Sequence, residues 1–143
     1  MIRRFSFADL DRILEIERQA FPKSPYDLAT FLNLYWLHPE TFWVYVERTH
    51  GWEKGRIFAY IVFAHHGHII SIAVDPARRR KGIGKILLER AIAHPRIRKL
   101  RAEVRVSNKG AQAFYEEMGF RVVEVVSNYY GDEDALIVEK NAQ

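Results

Sequence analysis

The sequence predicts an α/β protein with a mixed sheet, its elements in the order βααβββαβαββ. Three observations lead there. Segments of helical and strand periodicity alternate along the chain. Two β-rich runs meet at a glycine-bearing turn, as in a hairpin. An apolar strand ending in Ile72-Ala73-Val74 runs into a basic turn whose glycines open a helix. With 143 residues, 48% hydrophobic and 28% charged, the chain can bury a core without disulfides or metal staples, so residues 1–143 are expected to form one domain.

In chain order, Ile2 to Phe5 reads as a short strand. Ser6 and Asp9 then stand in capping-box spacing before a helix with Leu10, Ile13, Leu14 and Phe21 on one stripe, which Glu17 interrupts. Ser24, Pro25 and Asp27 signal a second helix start after a very short loop, with Pro25 in the first turn and the end near Leu37, before Pro39. Thr41 to Thr49 and Arg56 to His65 form the hairpin around Gly51 and Gly55, and a turn at Gly67 returns the chain as strand His68 to Val74. Ile83, Ile86, Leu87 and Ala91 follow helical spacing until Pro95. Strand Lys99 to Val106, helix Lys109 to Met118 and strands Arg121 to Asn128 and Asp134 to Lys140 complete the order. The order implies a mixed sheet, antiparallel at first and joined through right-handed crossovers to the later strands.

Composition narrows the chemistry. With no cysteine in the chain, an acetyl- or acyl-cysteine intermediate and thiolate metal sites are excluded. The net charge of +4 suits an anionic cofactor, an acidic substrate or nucleic acid, and does not choose among them. No stretch approaches the roughly 20 apolar residues of a membrane span. Met1 to Arg4 leads into an amphipathic pattern rather than a signal peptide, so a cytoplasmic location is expected. His65, His66 and His68 straddle a tight turn with no evident further ligands, and they read as solvated turn residues outside any site, with no metal expected.

Ile72 to Lys85 is the most informative stretch. A strand ends, Arg78-Arg79-Arg80-Lys81 follows, and Gly82 and Gly84 open a helix. The first helical N–H groups have no internal partners and the helix dipole favours negative charge, so a pyrophosphate fits there. After Gly84 come Lys85, Ile86 and Leu87, which supply neither a third dinucleotide-fold glycine nor a Walker ending. Taken alone, the run is equally a solvated basic segment or a nucleic-acid patch.

Arg79, Gly82 and Gly84 satisfy the pattern Arg/Gln-x-x-Gly-x-Gly/Ala, and this resembles the acetyl-CoA pyrophosphate loop of the Gcn5-related N-acetyltransferase (GNAT) superfamily. Glu103-Val104-Arg105-Val106-Ser107-Asn108, followed by Phe114-Tyr115 and Gly119-Phe120, resembles its second signature and, within it, the RimI-type protein N-alpha-acetyltransferases. Ile16-Glu17-x-x-x-Phe21-Pro22 and Tyr129 to Ala135 agree with that narrower likeness.

The resemblance implies a single N-acetyltransferase domain of GNAT fold that transfers acetyl directly from acetyl-CoA to an amine. It implies that Ile72, Ala73 and Val74 hold the cofactor's pantetheine arm while the next strand splays away. Arg79, Arg80, Lys81, Gly82, Ile83, Gly84, Lys85 and Asn108 would bind the rest of the cofactor. Glu103 matches the base and Tyr115 the acid that protonates the departing thiolate. Phe21, Pro22, Tyr26, Tyr129 and Tyr130 would wall a slot for a peptide or protein N-terminus, with nucleic acid the disfavoured partner. The residues by themselves allow plainer roles: Tyr115 completes a core stripe with Ala111, Phe114 and Met118, Glu103 pairs with Arg101 or Arg105, and Asn108 caps a helix. Lysine side chains or small amines remain alternative acceptors. A non-catalytic module that senses coenzyme A or binds nucleic acid is the alternative of another class.

Overall fold

In the computed structural model, which describes residues 1–49 and 51–142, the elements are β1 (Ile2–Arg4), α1 (Leu10–Ala20), α2 (Leu28–Leu37), β2 (Phe42–Thr49), β3 (Trp52–Phe63), β4 (Ile69–Val74), α3 (Ile83–Ile92), β5 (Lys99–Arg105), α4 (Lys109–Glu117), β6 (Arg121–Val126) and β7 (Ala135–Asn141). The order is the expected one, with 3₁₀ turns added at Phe7–Asp9 and Pro76–Arg78. The strands pair as two sheets rather than one, β1-β2-β3-β4 and β5-β7-β6. The mixed α/β class is the expected one, and hydropathy reports which residues are buried but not where neighbouring strands part.

Residues Met1–Ala64 with Ile70–Ala91 form one compact unit, and His65–Ile69 with Ile92–Gln143 form a second. In the first, β2 pairs antiparallel with β1 and β3, and α1 and α2 contribute Ile13, Leu14, Ile16, Phe31 and Leu34 to a core shared with Phe5, Phe42, Val44, Tyr60 and Val62. Each such apolar side chain contributes about 1.5–3 kcal/mol on burial. Phe5 stacks on Phe42 at 4.2 Å, and Phe31 meets Tyr60 edge-on at 5.6 Å. The second unit is the antiparallel sheet with α4, and it buries Leu100, Ala102, Val104, Tyr115, Met118, Phe120, Ile137 and Val138.

Two local expectations are corrected. The loop between α1 and α2 is not very short but covers residues 21–27. Asp27 rather than Pro25 sets the start of α2: its carboxylate accepts from the Thr30 N–H at 2.9 Å and the Thr30 hydroxyl at 2.8 Å, a cap that Pro25 cannot supply. At the other start signal, the Ser6 N–H donates to Asp9 Oδ2 at 2.8 Å, as the spacing foretold. Asp9 also holds both terminal nitrogens of Arg3 at 2.8 Å.

Candidate active site

In the first unit, β4 is the outer strand of its sheet. The Asp75 N–H donates to the Phe58 carbonyl on β3 at 2.8 Å. Backbone groups alternate sides along a strand, so the N–H and C=O of Ile72 and Val74 face the free edge while those of Ala73 face β3. A chain laid along that edge can add as a further strand. Asp75 fixes how the chain leaves β4. It accepts from the Ala77 N–H at 2.9 Å and pairs with Arg12, whose Nε donates to the Ile57 carbonyl at 2.8 Å. Burial alone would raise the Asp75 pKa, but the Ala77 N–H, Arg12 and Arg56 outweigh it and hold the carboxylate ionised.

The basic run divides its labour. Arg78 lies over the Phe58 ring at 4.2 Å and reaches Glu47 at 3.4 Å, so this cation serves the fold. Arg79, Arg80 and Lys81 are exposed, and Arg79 Nε donates to the Val74 carbonyl at 3.3 Å. Gly82 has φ +80°, a left-handed conformation that favours glycine, and its carbonyl receives the Ile86 N–H at 3.0 Å. The N–H groups of Ile83, Gly84 and Lys85 therefore precede the first intrahelical bond and point out of the helix start. Exposed cations, helix-start N–H groups and an outer strand edge form a cradle that suits an extended anionic ligand.

Also in the first unit, Phe21 and Tyr26 are half-buried and pack against the core, while Pro22 is exposed. Glu17, which interrupts the α1 stripe, is buried. Its carboxylate accepts from the Tyr26 N–H at 2.9 Å and from the Tyr60 hydroxyl, which shares a 2.8 Å hydrogen bond with the Ser71 hydroxyl on β4.

The second unit carries His68, Glu103 and Tyr115. Gly67 has φ +105°, and a Cβ there would lie 1.7 Å from the Lys99 carbonyl oxygen, so only glycine permits this approach to β5. The Arg101 N–H donates to the Gly67 carbonyl at 2.9 Å, and His68 forms a parallel bridge with Arg101. That register brings His68 Nε2 to 2.9 Å from Glu103 Oε1. His68, which reads from sequence as a solvated turn residue, thus bonds the carboxylate that the resemblance matches to the base. Arg101 faces Glu139 and Glu124, and Arg105 faces Asp132 and Glu133. A cavity of about 420 Å³ opens on His68, Glu103, Arg101 and Lys99.

Tyr115 is buried on α4, edge-on to Phe114 and Phe120 at 5.3 and 5.0 Å. Burial first, then the charges of Glu103 and Tyr130, push its phenol pKa far up, so Tyr115 stays protonated at physiological pH. Burial and Glu103 likewise raise the Tyr129 phenol, with Arg101 opposing. Tyr115 and Tyr129 are thus both within the electrostatic reach of Glu103. Tyr129 and Tyr130 meet edge-on at 4.9 Å. The Arg105 guanidinium, 4.2 Å from the Tyr130 ring centre, binds Asp132 and Glu133, each at 2.8 Å, and so ties the loop before β7 to β5. Asn108 caps α4, its Oδ1 accepting from the Ala111 N–H at 3.0 Å. Among the described residues, no group of three or more His, Asp or Glu side chains is placed to hold a metal ion.

The fold is that of an acyltransferase family. Residues 10–120 match the Acetyltransferase (GNAT) family. An uncharacterized N-acetyltransferase of Methanocaldococcus jannaschii, MJ1530, is 38% identical over 98% of this chain and 90% of its own. The N-alpha-acetyltransferase of Saccharolobus solfataricus is 31% identical over 97% of this chain and 91% of its own. The crystal structure of the ribosomal-protein-S18-alanine N-acetyltransferase from Escherichia coli superposes with a TM-score of 0.81 at 28% identity, covering 100% of this chain and 94% of that one. The chain belongs to the GNAT family and is an N-acetyltransferase.

Proposed function

We propose that this enzyme transfers the acetyl group of acetyl-CoA directly to the α-amine of a protein N-terminus. The observation that carries the reading is the His68–Glu103 hydrogen bond, a proton-accepting pair on the wall of an open cavity. An α-amine, with a pKa near ~8, is partly neutral at physiological pH, whereas lysine near ~10.4 demands a stronger base. Similarity to the Saccharolobus N-alpha-acetyltransferase and the Escherichia S18-alanine enzyme supports the same acceptor. Because the family match spans both compact units, we infer one catalytic domain over residues 1–143.

Acetyl-CoA supplies the thioester carbonyl and a thiolate leaving group. Ile72, Ala73 and Val74 hold its pantetheine arm, with the hydrogen bonds made by the outward backbone groups of Ile72 and Val74. Arg79, Arg80, Lys81, Gly82, Ile83, Gly84 and Lys85 receive its phosphates, and Asn108 assists while capping α4. Glu103, oriented by His68, takes the ammonium proton, directly or through a water, and frees the lone pair for attack. The Val74 N–H stabilises the oxyanion, and Tyr115 donates a hydrogen bond to the developing thiolate, which takes up the second amine proton as the intermediate collapses. Phe21, Pro22, Tyr26, Tyr129 and Tyr130 wall the acceptor slot. No helix among the described residues is long and apolar enough to cross a membrane, and the proposed site of action is the cytoplasm.

The test is acetylation of short peptides with free or blocked N-termini, read by mass spectrometry. Free peptides gain one acetyl group at the α-amine. Equal turnover of blocked, lysine-bearing peptides refutes the acceptor assignment.

A further inference from the structure

Glu17 stands where a leucine would serve the core better. It follows Leu14 by three residues on the buried stripe of α1, is itself buried, and burial holds its pKa up against the hydrogen bonds from Tyr26 and Tyr60. Replacing a buried charged group by an apolar one of similar volume is often neutral or stabilising, so core stability does not account for a carboxylate here.

Its bonds supply the account. The Phe21 N–H donates to the Glu17 backbone carbonyl at 2.9 Å, and the Tyr26 N–H donates to Glu17 Oε2 at 2.9 Å. Both ends of the loop from Phe21 to Tyr26 therefore close on the same residue. The other carboxylate oxygen is held by the Tyr60 hydroxyl, itself bonded to Ser71 at 2.8 Å, which ties the loop to β3 and β4. Between the two ends, Pro22, Lys23, Ser24 and Pro25 are exposed. With both ends closed on one residue, the fastening limits the shapes that the exposed middle can take.

We propose that Glu17 is a positioning residue for the acceptor: without touching substrate, it cinches the loop 21–26 and sets the wall that Phe21 and Tyr26 present to the incoming N-terminus. The proposal rests on the acceptor-slot reading given above.

The test compares Glu17→Leu with Glu17→Gln. The Gln carbonyl can still accept from the Tyr26 N–H, and its amide can donate to the Tyr60 oxygen. In Glu17→Leu the peptide KM rises about tenfold, equivalent to about 1.4 kcal/mol, the acetyl-CoA KM is unchanged, and amide hydrogen exchange at Tyr26 accelerates. Glu17→Gln restores all three. Tyr60→Phe keeps the ring and the fold, removes one anchor, and gives an intermediate peptide KM should the Leu variant fold poorly. Unchanged exchange at Tyr26 in both Glu17→Leu and Tyr60→Phe overturns the clamp. Faster exchange with an unchanged peptide KM leaves the clamp real but refutes the acceptor-wall reading, and with it the proposal. An equal rise in both KM values also overturns it, since general loosening of the fold would do the same.

Discussion

Tyr115→Phe isolates a single oxygen. The ring packs between Phe114 and Phe120, and phenylalanine keeps those contacts, so the melting temperature is expected to stay within experimental scatter. Burial and the nearby Glu103 raise the phenol pKa from 10.0. Full proton transfer from so weak an acid to a thiolate whose conjugate acid has a pKa of about 8.5 is uphill. Tyr115 therefore contributes chiefly as a hydrogen-bond donor to charge developing on sulfur. Removing one preorganised donor from a developing anion costs about 10²–10³ in kcat, or about 2.7–4 kcal/mol. The sign of the linkage is also fixed. A raised folded-state value stabilises the protein below the unfolded value of 10.0 and loses that contribution as pH rises through the folded value, so wild type has no alkaline limb from Tyr115 below pH 10.0. The assay is steady-state release of free thiol with saturating peptide from pH 6 to 10, alongside calorimetric binding of acetyl-CoA. Unchanged kcat, or a kcat loss that tracks weaker acetyl-CoA binding, would refute the donor role.

Three further outcomes are expected. Gly82→Ala places a side chain at φ +80° where no heavy atom lies within 4 Å, so backbone strain rather than a clash costs about 1–2 kcal/mol, and denaturant melts with kinetics should show lower stability and a raised acetyl-CoA KM at unchanged peptide KM. Asp9→Asn removes the carboxylate that Arg3 and the Ser6 N–H hold below its usual pKa despite the opposing effect of burial; the loss, about 1 kcal/mol because Arg3 is 41% exposed and screened, is present above pH 3.8 and fades as pH falls through the folded value in pH-dependent melts. Arg105→Lys keeps the charge but loses the planar fork that joins Asp132, Glu133 and the Tyr130 face, so peptide KM is expected to rise several-fold while acetyl-CoA KM holds.

Much of the fold was legible because its signals are local. Alternation marked β5 through Leu100, Ala102 and Val104, Asn108 marked the start of α4, and Asp75-Pro76 marked the end of β4. Sheet membership was not legible. That β4 is the last strand of one sheet and β5 the first of another depends on pairing between distant segments, which no window of hydropathy contains. The first helix boundary shows the same limit at smaller scale. Pro25 and Asp27 both carry start signals, and only the geometry of the Thr30 N–H decides for Asp27.

The candidate site divides along the same line. Residues 79–85 stand out as candidates in the sequence because a helix start, two glycines and a cation run are contiguous, and their chemistry needs no distant partner. Glu103 and Tyr115 are site candidates through motif likeness, while the plainer reading of Tyr115 as a core side chain agrees with its burial. The partner of His68 was not legible because it lies 35 residues away, in a 2.9 Å bond to Glu103. A local clue existed in Gly67. A glycine between His66 and His68 reads as an ordinary turn, yet here it is required by contact with the Lys99 carbonyl, and that contact sets the register that delivers the imidazole to the carboxylate. Glu17 was noticed as an interruption of an apolar stripe and left without a role, since its two partners, the Tyr26 N–H and the Tyr60 hydroxyl, come from a loop and another strand. In both cases the signal in the sequence was a residue that its own element could not explain. A carboxylate in a core stripe and a histidine behind a tightly constrained glycine each need a partner from elsewhere in the chain, and where the fold supplies that partner such residues are strong candidates for function.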